Sequence, residues 1–214
     1  IPFLLAMAIG PQLKWIKSEL KDKIFLILFF VISFLLSIFI VKNFNTSFLM
    51  NTILVTAAFY LFFITLKDFF IKKLKNVSQN LAHFGFSLLI LSILFNNMFS
   101  TEIITNLKVG ETYQSNKFKI NFESVDQTNG PNFKAIIGKF IIMNLDGGIE
   151  VLKPELRIYN QPNIVTSEAD IKTTILTDRF ITMNLVQNQD YFNIRYQIKP
   201  FMVWIWFSVL LISF

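Results

Sequence analysis

Long apolar runs are the feature that most constrains how this chain can fold. Residues 80–100 read NLAHFGFSLLILSILFNNMFS and are long enough for a helix that crosses a bilayer, as are residues 24–41 and 48–66. Inside hydrocarbon a spanning segment must satisfy its own backbone hydrogen bonds, and a helix does so. With 53% hydrophobic residues and a mean hydropathy of +0.53, the chain is too apolar for an ordinary soluble domain. The sequence therefore predicts several membrane helices.

Residues 101–198 differ in character from these runs. They include ten Lys and Arg against eleven Asp and Glu, and they contain no long apolar run. Phe118, Ile120 and Phe122 alternate with polar residues, which is the period of a half-buried strand. The turn Asp146–Gly148 suits a hairpin with positive φ. We expect a water-soluble, compact antiparallel β domain of about seven strands.

One segment of this domain has no clear period. Residues 166–176, TSEADIKTTIL, are interpreted either as a loop or as a short helix capped by Ser167 with Asp170.

Lysines between the apolar runs predict the orientation of the chain. Short lysine-rich loops are retained on the cytoplasmic side of a membrane. The net charge of +6 therefore reflects topology, and no nucleic-acid partner is expected. The β domain should then lie outside, in the periplasm or the mitochondrial intermembrane space. The two loops carry Lys14, Lys17, Lys21 and Lys23, and Lys67, Lys72, Lys73 and Lys75.

The predicted fold class is a polytopic α-helical membrane protein with an inserted extracytoplasmic antiparallel β domain. Both ends of the sequence look cut, so we expect a piece of a longer polypeptide. The expected divisions are the end of a helix at 1–10, a basic loop at 11–23, a helix at 24–41, an outer loop at 42–47, a helix at 48–66, a basic loop at 67–79, a helix at 80–100, the β domain at 101–198 and the start of a helix at 199–214.

His83 is the only histidine of the chain, and it lies in the predicted helix 80–100. An ionisable side chain inside a membrane helix is costly and often functional. A neutral imidazole can ligate haem iron, so His83 is the candidate metal and cofactor ligand. The alternative interpretation is a ring hydrated near the headgroups, with no chemical role. A second iron ligand would come from outside the chain or from a methionine such as Met7.

Other chemistry is poorly supported by the residues present. The chain has no cysteine, so any reaction on thiols must use the thiols of a partner. The single histidine lies in a predicted membrane helix, which argues against a hydrolytic triad in the β domain. Two groups include acid and base pairs, which we interpret as surface ion pairs of the β domain: Glu155 with Arg157, and Glu168 and Asp170 with Arg179.

Four stretches in this order resemble the C-terminal part of the CcmF-type cytochrome c haem lyases of system I cytochrome c maturation. One is a helix end, one bears the histidine, one lies in the inserted domain and one is a return helix. They read MAIGPQLKW, LAHFGFSLLILSILF, RIYNQPNIVTSEADIKTTILTDRFI and KPFMVWIWFSVLLISF.

The resemblance implies a haem lyase of the bacterial or mitochondrial inner membrane. Such proteins receive haem from the chaperone CcmE and, with CcmH and sometimes CcmI, attach it through thioether bonds to the Cys-x-x-Cys-His motif of apocytochrome c. They also hold a b-type haem (iron protoporphyrin IX) in the membrane, to which quinol is thought to pass electrons. His83 matches the second histidine ligand of that haem.

The chain also departs from the family pattern. The tryptophan-rich haem-handling motif is absent, since Trp15, Trp204 and Trp206 stand outside any such run, so no catalytic residue is assigned. Two alternatives stay open: a non-catalytic membrane scaffold that docks maturation subunits through its β domain, and a transporter or channel subunit. The transporter alternative predicts paired polar residues at mid-membrane, and the apolar runs contain few.

Overall fold

The computed structural model describes residues 1–10, 20–42, 48–71, 77–144, 147–186 and 189–214. These residues form two compact units. A helical unit comprises residues 1–99 and 201–214, and a β unit comprises residues 100–200. The lysines at 14, 17, 72, 73 and 75, on which the orientation depends, lie outside the described residues, as do Trp15 and Asp146.

The helical unit is built from the apolar runs. Of its described helices, three contain a stretch long and apolar enough to cross a membrane, over Ile24–Val41, Phe48–Phe70 and Val77–Phe99. The last helix is shorter. In chain order, the helices are α1 (Pro2–Ile9), α2 (Leu20–Val41), α3 (Phe48–Ile71), α4 (Val77–Phe99) and α5 (Met202–Ser213).

The helices continue further into the basic segments than expected. Helix α3 runs past residue 66 to Ile71, α2 begins at Leu20, and α4 begins at Val77. Charged residues such as Lys67 are good helix formers, so a helix need not end where its apolar run ends. Lys67 places its ammonium group 5.7 Å from the centre of the Phe25 ring on α2.

Ring contacts fix the directions of α2, α3 and α4. Phe30 of α2 contacts Tyr60 of α3 at 5.6 Å, whereas Lys67 lies near Phe25, so α2 and α3 run antiparallel. On α4, Phe95 contacts Phe59 of α3 at 5.7 Å. The three helices therefore form an up-down-up arrangement.

The β unit contains two antiparallel sheets. One has the strand order β1-β10-β9-β8, and the other has the order β2-β3-β4-β6-β7 with β5 paired to β4. The strands are β1 (Thr101–Leu107), β2 (Thr112–Gln114), β3 (Phe118–Asn129), β4 (Phe133–Asn144), β5 (Ile149–Leu152), β6 (Glu155–Tyr159), β7 (Val165–Glu168), β8 (Asp170–Thr173), β9 (Thr177–Leu185) and β10 (Phe192–Pro200).

The core of the β unit follows the predicted alternation. Phe118, Ile120 and Phe122 of β3 are all buried in one cluster with side chains of the other sheet. Phe122 stacks on Phe140 with ring centres 4.3 Å apart. Gly147 has φ of +84°, as the hairpin composition predicted.

Segment 166–176 is extended, so a helix there is wrong. It forms β7 and β8, with Ala169 between them, and β7 pairs with β6 whereas β8 pairs with β9. Ser167 does not cap a helix, because its hydroxyl donates to the Met183 carbonyl oxygen at 2.8 Å. Strand pairing with distant residues decides the structure here, and these half-exposed edge strands carry no local period.

The expected strand count was also too low, since the described β unit has ten strands. Strand β10 continues to Pro200, and Phe201, with φ of +62°, precedes α5.

Candidate functional site

His83 lies in the first half of α4, and its side chain is half-buried. It makes no hydrogen bond with any other described residue. On a helix, Phe86 and Ser87 share its face one turn later, whereas Gly85 points elsewhere. The contacts of these three neighbours therefore define what surrounds the imidazole.

The Gly85 side of α4 packs against α5. A Cβ atom on Gly85 would lie 2.9 Å from the Leu211 Cβ and 3.0 Å from the Ser208 carbonyl oxygen, so only glycine permits this approach. Ser208 is fully buried and bonds locally, donating to the Ile205 carbonyl oxygen at 2.7 Å. Gly85 therefore serves close helix packing, as small residues do between long apolar helices.

The His83 side of α4 is directed towards α1 and α3. Phe86 meets Phe3 of α1 edge to face, with ring centres 6.1 Å apart. The Ser87 hydroxyl lies 3.3 Å from the Thr65 hydroxyl of α3 and donates to the Phe84 carbonyl oxygen at 2.7 Å. One turn after His83, the same face of α4 therefore makes a phenylalanine contact with α1 and a hydroxyl contact with α3.

An apolar cluster lies on this side of the helix. Phe86 and Ile90 of α4 pack against it, and so does Met7 of α1, the methionine considered as a second ligand. The structure thus brings Met7 and the histidine-bearing face of α4 to the same cluster. The buried members of the cluster are Leu4, Ala8, Ala57, Tyr60, Leu61 and Ile64.

A cavity lies on the other side of α4. It has a volume of about 270 Å³, lies between α3, α4 and α5, and is lined only by apolar side chains that do not include His83. Its lining residues are Leu66, Phe69, Phe70, Leu81, Phe84, Phe207 and Leu211. The His83 imidazole therefore does not line this cavity.

These surroundings are compatible with an imidazole that would hold a haem. The ring nitrogens make no hydrogen bond with another described residue, and Phe86 and Ile90 on this side of α4 are apolar, as a porphyrin requires, whereas Ser87 on the same face is polar. Among the described residues no group of three or more His, Cys, Asp or Glu side chains comes together, so a site built wholly from such ligands is not formed there.

Asp68 is a buried ionisable residue that the sequence analysis missed, because it was assigned to a loop. It lies on α3, is 7% exposed and shares a helix face with Thr65. Since α3 and α4 are antiparallel, Asp68 and His83 lie on the same side of the Thr65–Ser87 contact along the helices. The signal in the sequence was its spacing of three residues from Thr65, which places both residues on one face if the helix continues past residue 66.

The ion pairs of the β unit are partly as expected. Arg157 donates to Glu155 at 2.9 Å, and its hydrogen bonds to Glu155 and Tyr159 raise the pKa of the Arg157 guanidinium. Arg179 is different, because it pairs with Glu150 and not with Glu168 or Asp170, and their side chains are only 23% and 11% exposed. The surface interpretation of Arg179 is therefore wrong.

Comparison with known families decides what the β unit is. Residues 98–200 match the family model described as the CcmF C-terminal beta-sandwich. These residues form the C-terminal β-sandwich of the CcmF family. The resemblance stated from the sequence motifs is confirmed, since the family model, the curated relatives and a solved structure that match the chain are all CcmF proteins.

Full-length CcmF relatives extend the match beyond the sandwich. The chain is 27% identical over 230 residues to the cytochrome c-type biogenesis protein CcmF of Haemophilus influenzae, covering 99% of this chain and 35% of that protein. It is 25% identical over 223 residues to CcmF of Escherichia coli, covering 100% of this chain and 34% of that protein. The chain thus spans about a third of the length of these curated relatives.

A solved structure of the cytochrome c haem lyase CcmF shares the fold. The TM-score is 0.72 at 16% sequence identity, covering 98% of this chain and 36% of that chain. Helices and sandwich together therefore have the CcmF architecture.

Proposed function

We propose that this chain is the C-terminal part of a membrane haem lyase that attaches haem covalently to apocytochrome c. The observation that carries the proposal is the half-buried imidazole of His83 on a long apolar helix, α4, that leads directly into a CcmF β-sandwich. The matched relatives support the proposal, because they are named cytochrome c-type biogenesis proteins.

In this proposal the His83 imidazole would hold a membrane b-type haem. A bound haem would supply electron transfer between quinol and the haem that is being attached. The chain's own contribution is to present the His83 imidazole beside apolar side chains such as Phe86. A second ligand would come from outside this chain or from Met7.

The proposed reaction adds a thiol S–H of apocytochrome c across a vinyl group of the haem, which forms a thioether without net oxidation. The thiols belong to the partner, since this chain has no cysteine. Its proposed partners are apocytochrome c, the haem chaperone CcmE, CcmH and, in some members of the family, CcmI.

The proposed location is the bacterial or mitochondrial inner membrane, with the β-sandwich on the periplasmic or intermembrane-space side. It is supported by the three helices of spanning length. An alkaline phosphatase fusion at Gly147 should be active in a bacterial host, and one at Lys72 inactive. The reverse pattern would contradict this orientation.

Visible spectroscopy tests the ligand assignment. His83→Gly should lose most of the reduced Soret and α bands of the protein purified from membranes, and added imidazole should restore them. Ser87→Ala is the matched control, because it alters the same helix face and should retain full haem content. Unchanged bands in His83→Gly would refute ligation.

Cytochrome c maturation in the same strains separates the two leading functions. If the chain is part of a haem lyase, the His83 variant should lose cytochrome c maturation together with its haem. Full maturation without the membrane haem would instead favour a scaffold that docks other subunits.

A further inference from the structure

The hairpin between β8 and β9 carries two exposed apolar side chains at its tip. Ile175 and Leu176 are 72% and 60% exposed, and they lie between Thr174 and Thr177. Neither side chain belongs to the hydrophobic core of the β unit.

Strand register places this tip at the end of the sheet where the chain enters and leaves the β unit. Thr177, the first residue of β9, pairs with Pro200, the last residue of β10. Thr101, the first residue of β1, pairs with Ile198. Helix α4 ends at Phe99 and α5 begins at Met202. The tip is thus at the end from which the chain continues into both helices.

The hairpin at the opposite end of the same sheet has a different composition. The β9–β10 connection includes Gln189 and Asp190, and β9 and β10 meet there at Leu185 and Phe192. Among the described residues of this sheet, the most exposed apolar tip lies at the end that leads into α4 and α5, since Leu185 and Val109 at the opposite end are 48% and 49% exposed. This difference is the one expected if the first end meets a bilayer and the second meets water.

The two threonines that flank the tip are hydrogen-bonded to each other. The Thr174 hydroxyl donates to the Thr177 carbonyl oxygen at 2.7 Å and accepts from the Thr177 amide at 3.0 Å. The Thr174 amide donates to the same carbonyl oxygen at 2.9 Å. Polar groups that are satisfied internally lower the cost of leaving water.

We propose that the β8–β9 tip, Ile175 and Leu176, inserts into the lipid headgroup layer and holds the β-sandwich against the membrane surface. The neighbouring Lys172 and Arg179, which pair across β8 and β9, add positive charge beside the tip, although Glu150 compensates part of it. The proposal rests on the proposed membrane location of α4 and goes beyond the haem chemistry, since it assigns the sandwich a lipid contact.

Site-directed spin labelling tests the contact in the whole protein, reconstituted in nanodiscs of phosphatidylethanolamine and phosphatidylglycerol. The 214 residues contain no cysteine, so Leu176→Cys, Gln189→Cys and Phe39→Cys each add one labelling site to this chain. Phe39 is an apolar residue of α2 that is 75% exposed. The measurement is the ratio of accessibility to oxygen, which enters lipid, over accessibility to a water-soluble nickel chelate.

The expected ratio is severalfold higher at Leu176 than at Gln189, with Phe39 highest. A Leu176 ratio equal to that of Gln189, with Phe39 still high, overturns the hairpin proposal and leaves the membrane proposal standing. A low ratio at Phe39 overturns the membrane location itself. Protection of Leu176 from both reagents also overturns lipid contact, because it indicates a protein partner at the tip.

Discussion

Gly85 of α4 and Ser208 of α5 approach so closely that a Cβ atom on Gly85 would lie 3.0 Å from the Ser208 carbonyl oxygen. This seam joins the histidine-bearing helix to the helix that follows the β unit. It leaves the opposite side of α4, with His83 and Phe86, directed towards α1 and α3.

Substitution of Gly85 by leucine should separate α4 from α5. Overpacking of a close contact costs about 1–3 kcal/mol. The expected result is a lower unfolding temperature of the detergent-purified protein. Gly10→Ala is the control, because a Cβ atom there would have no atom of the described residues within 4 Å. Equal unfolding temperatures for the two variants would contradict the importance of the close α4–α5 contact at Gly85.

Glu150→Leu should destabilise the β-sandwich strongly. It removes the partner of the largely buried Arg179, and an uncompensated buried charge costs about 3–5 kcal/mol. The double variant Glu150→Leu/Arg179→Met should regain most of the loss, as followed by hydrogen exchange of β9 amides.

Glu102 provides the control for this pair. It accepts a hydrogen bond from Arg195 at 2.5 Å in an exposed pair, and that bond with one from Gln197 lowers the pKa of the Glu102 carboxyl. Glu102→Gln should leave the same amides nearly as protected as in the wild type. A loss comparable to that of Glu150→Leu would show that burial is not the deciding factor.

Tyr196 should make stability depend on alkaline pH. The residue is 1% exposed, and burial is the main cause that raises the pKa of its phenol from 10.0 to about 12. Because the folded pKa is raised, the folded state keeps a proton that the unfolded chain has lost between pH 10 and about 12. The free energy of unfolding therefore falls with rising pH across that window.

Tyr196→Phe removes this contribution. Among the described residues the Tyr196 hydroxyl has no hydrogen-bond partner, so the variant should match or exceed wild-type stability at pH 7, by up to about 1 kcal/mol. The measurement is the unfolding temperature of both proteins from pH 7 to pH 12. Parallel curves above pH 10 would show that Tyr196 does not contribute.

Thr65 and Ser87 should be weakly coupled. Their hydroxyl oxygens are 3.3 Å apart, but each already donates to a carbonyl oxygen of its own helix, of Leu61 and Phe84 respectively. A double-mutant cycle with Thr65→Val and Ser87→Ala should give a coupling energy of about 0.6 kcal/mol, as is typical between membrane helices. A coupling above about 2 kcal/mol would mean that this contact is a main determinant of α3–α4 packing.

Features that depend on neighbouring residues were predictable. The alternation Phe118, Ile120, Phe122 correctly placed one face of β3 in the core, because side chains of a strand point to alternate faces. Gly85 was recognisable as a packing residue, since a small side chain in a long apolar helix permits close approach. The motif order also predicted the CcmF resemblance.

Features that depend on distant residues were not predictable. Glu150 and Arg179 come from strands of different sheets, so no local spacing indicates that they pair. Segment 166–176 forms two strands only because β6 and β9 supply their partners. Asp68 was missed because its burial depends on how α3 packs and not on the charge of its own segment.

The sequence by itself determined the apolar helices, the alternating β core and the single imidazole, because periodicity and residue chemistry act over a few neighbouring positions. Only the tertiary structure decided which helices the His83 face of α4 meets, which residue Arg179 pairs with, and which end of the sheet carries Ile175 and Leu176. These depend on strand register and helix packing, which bring together residues far apart in the chain and leave no mark in the local sequence.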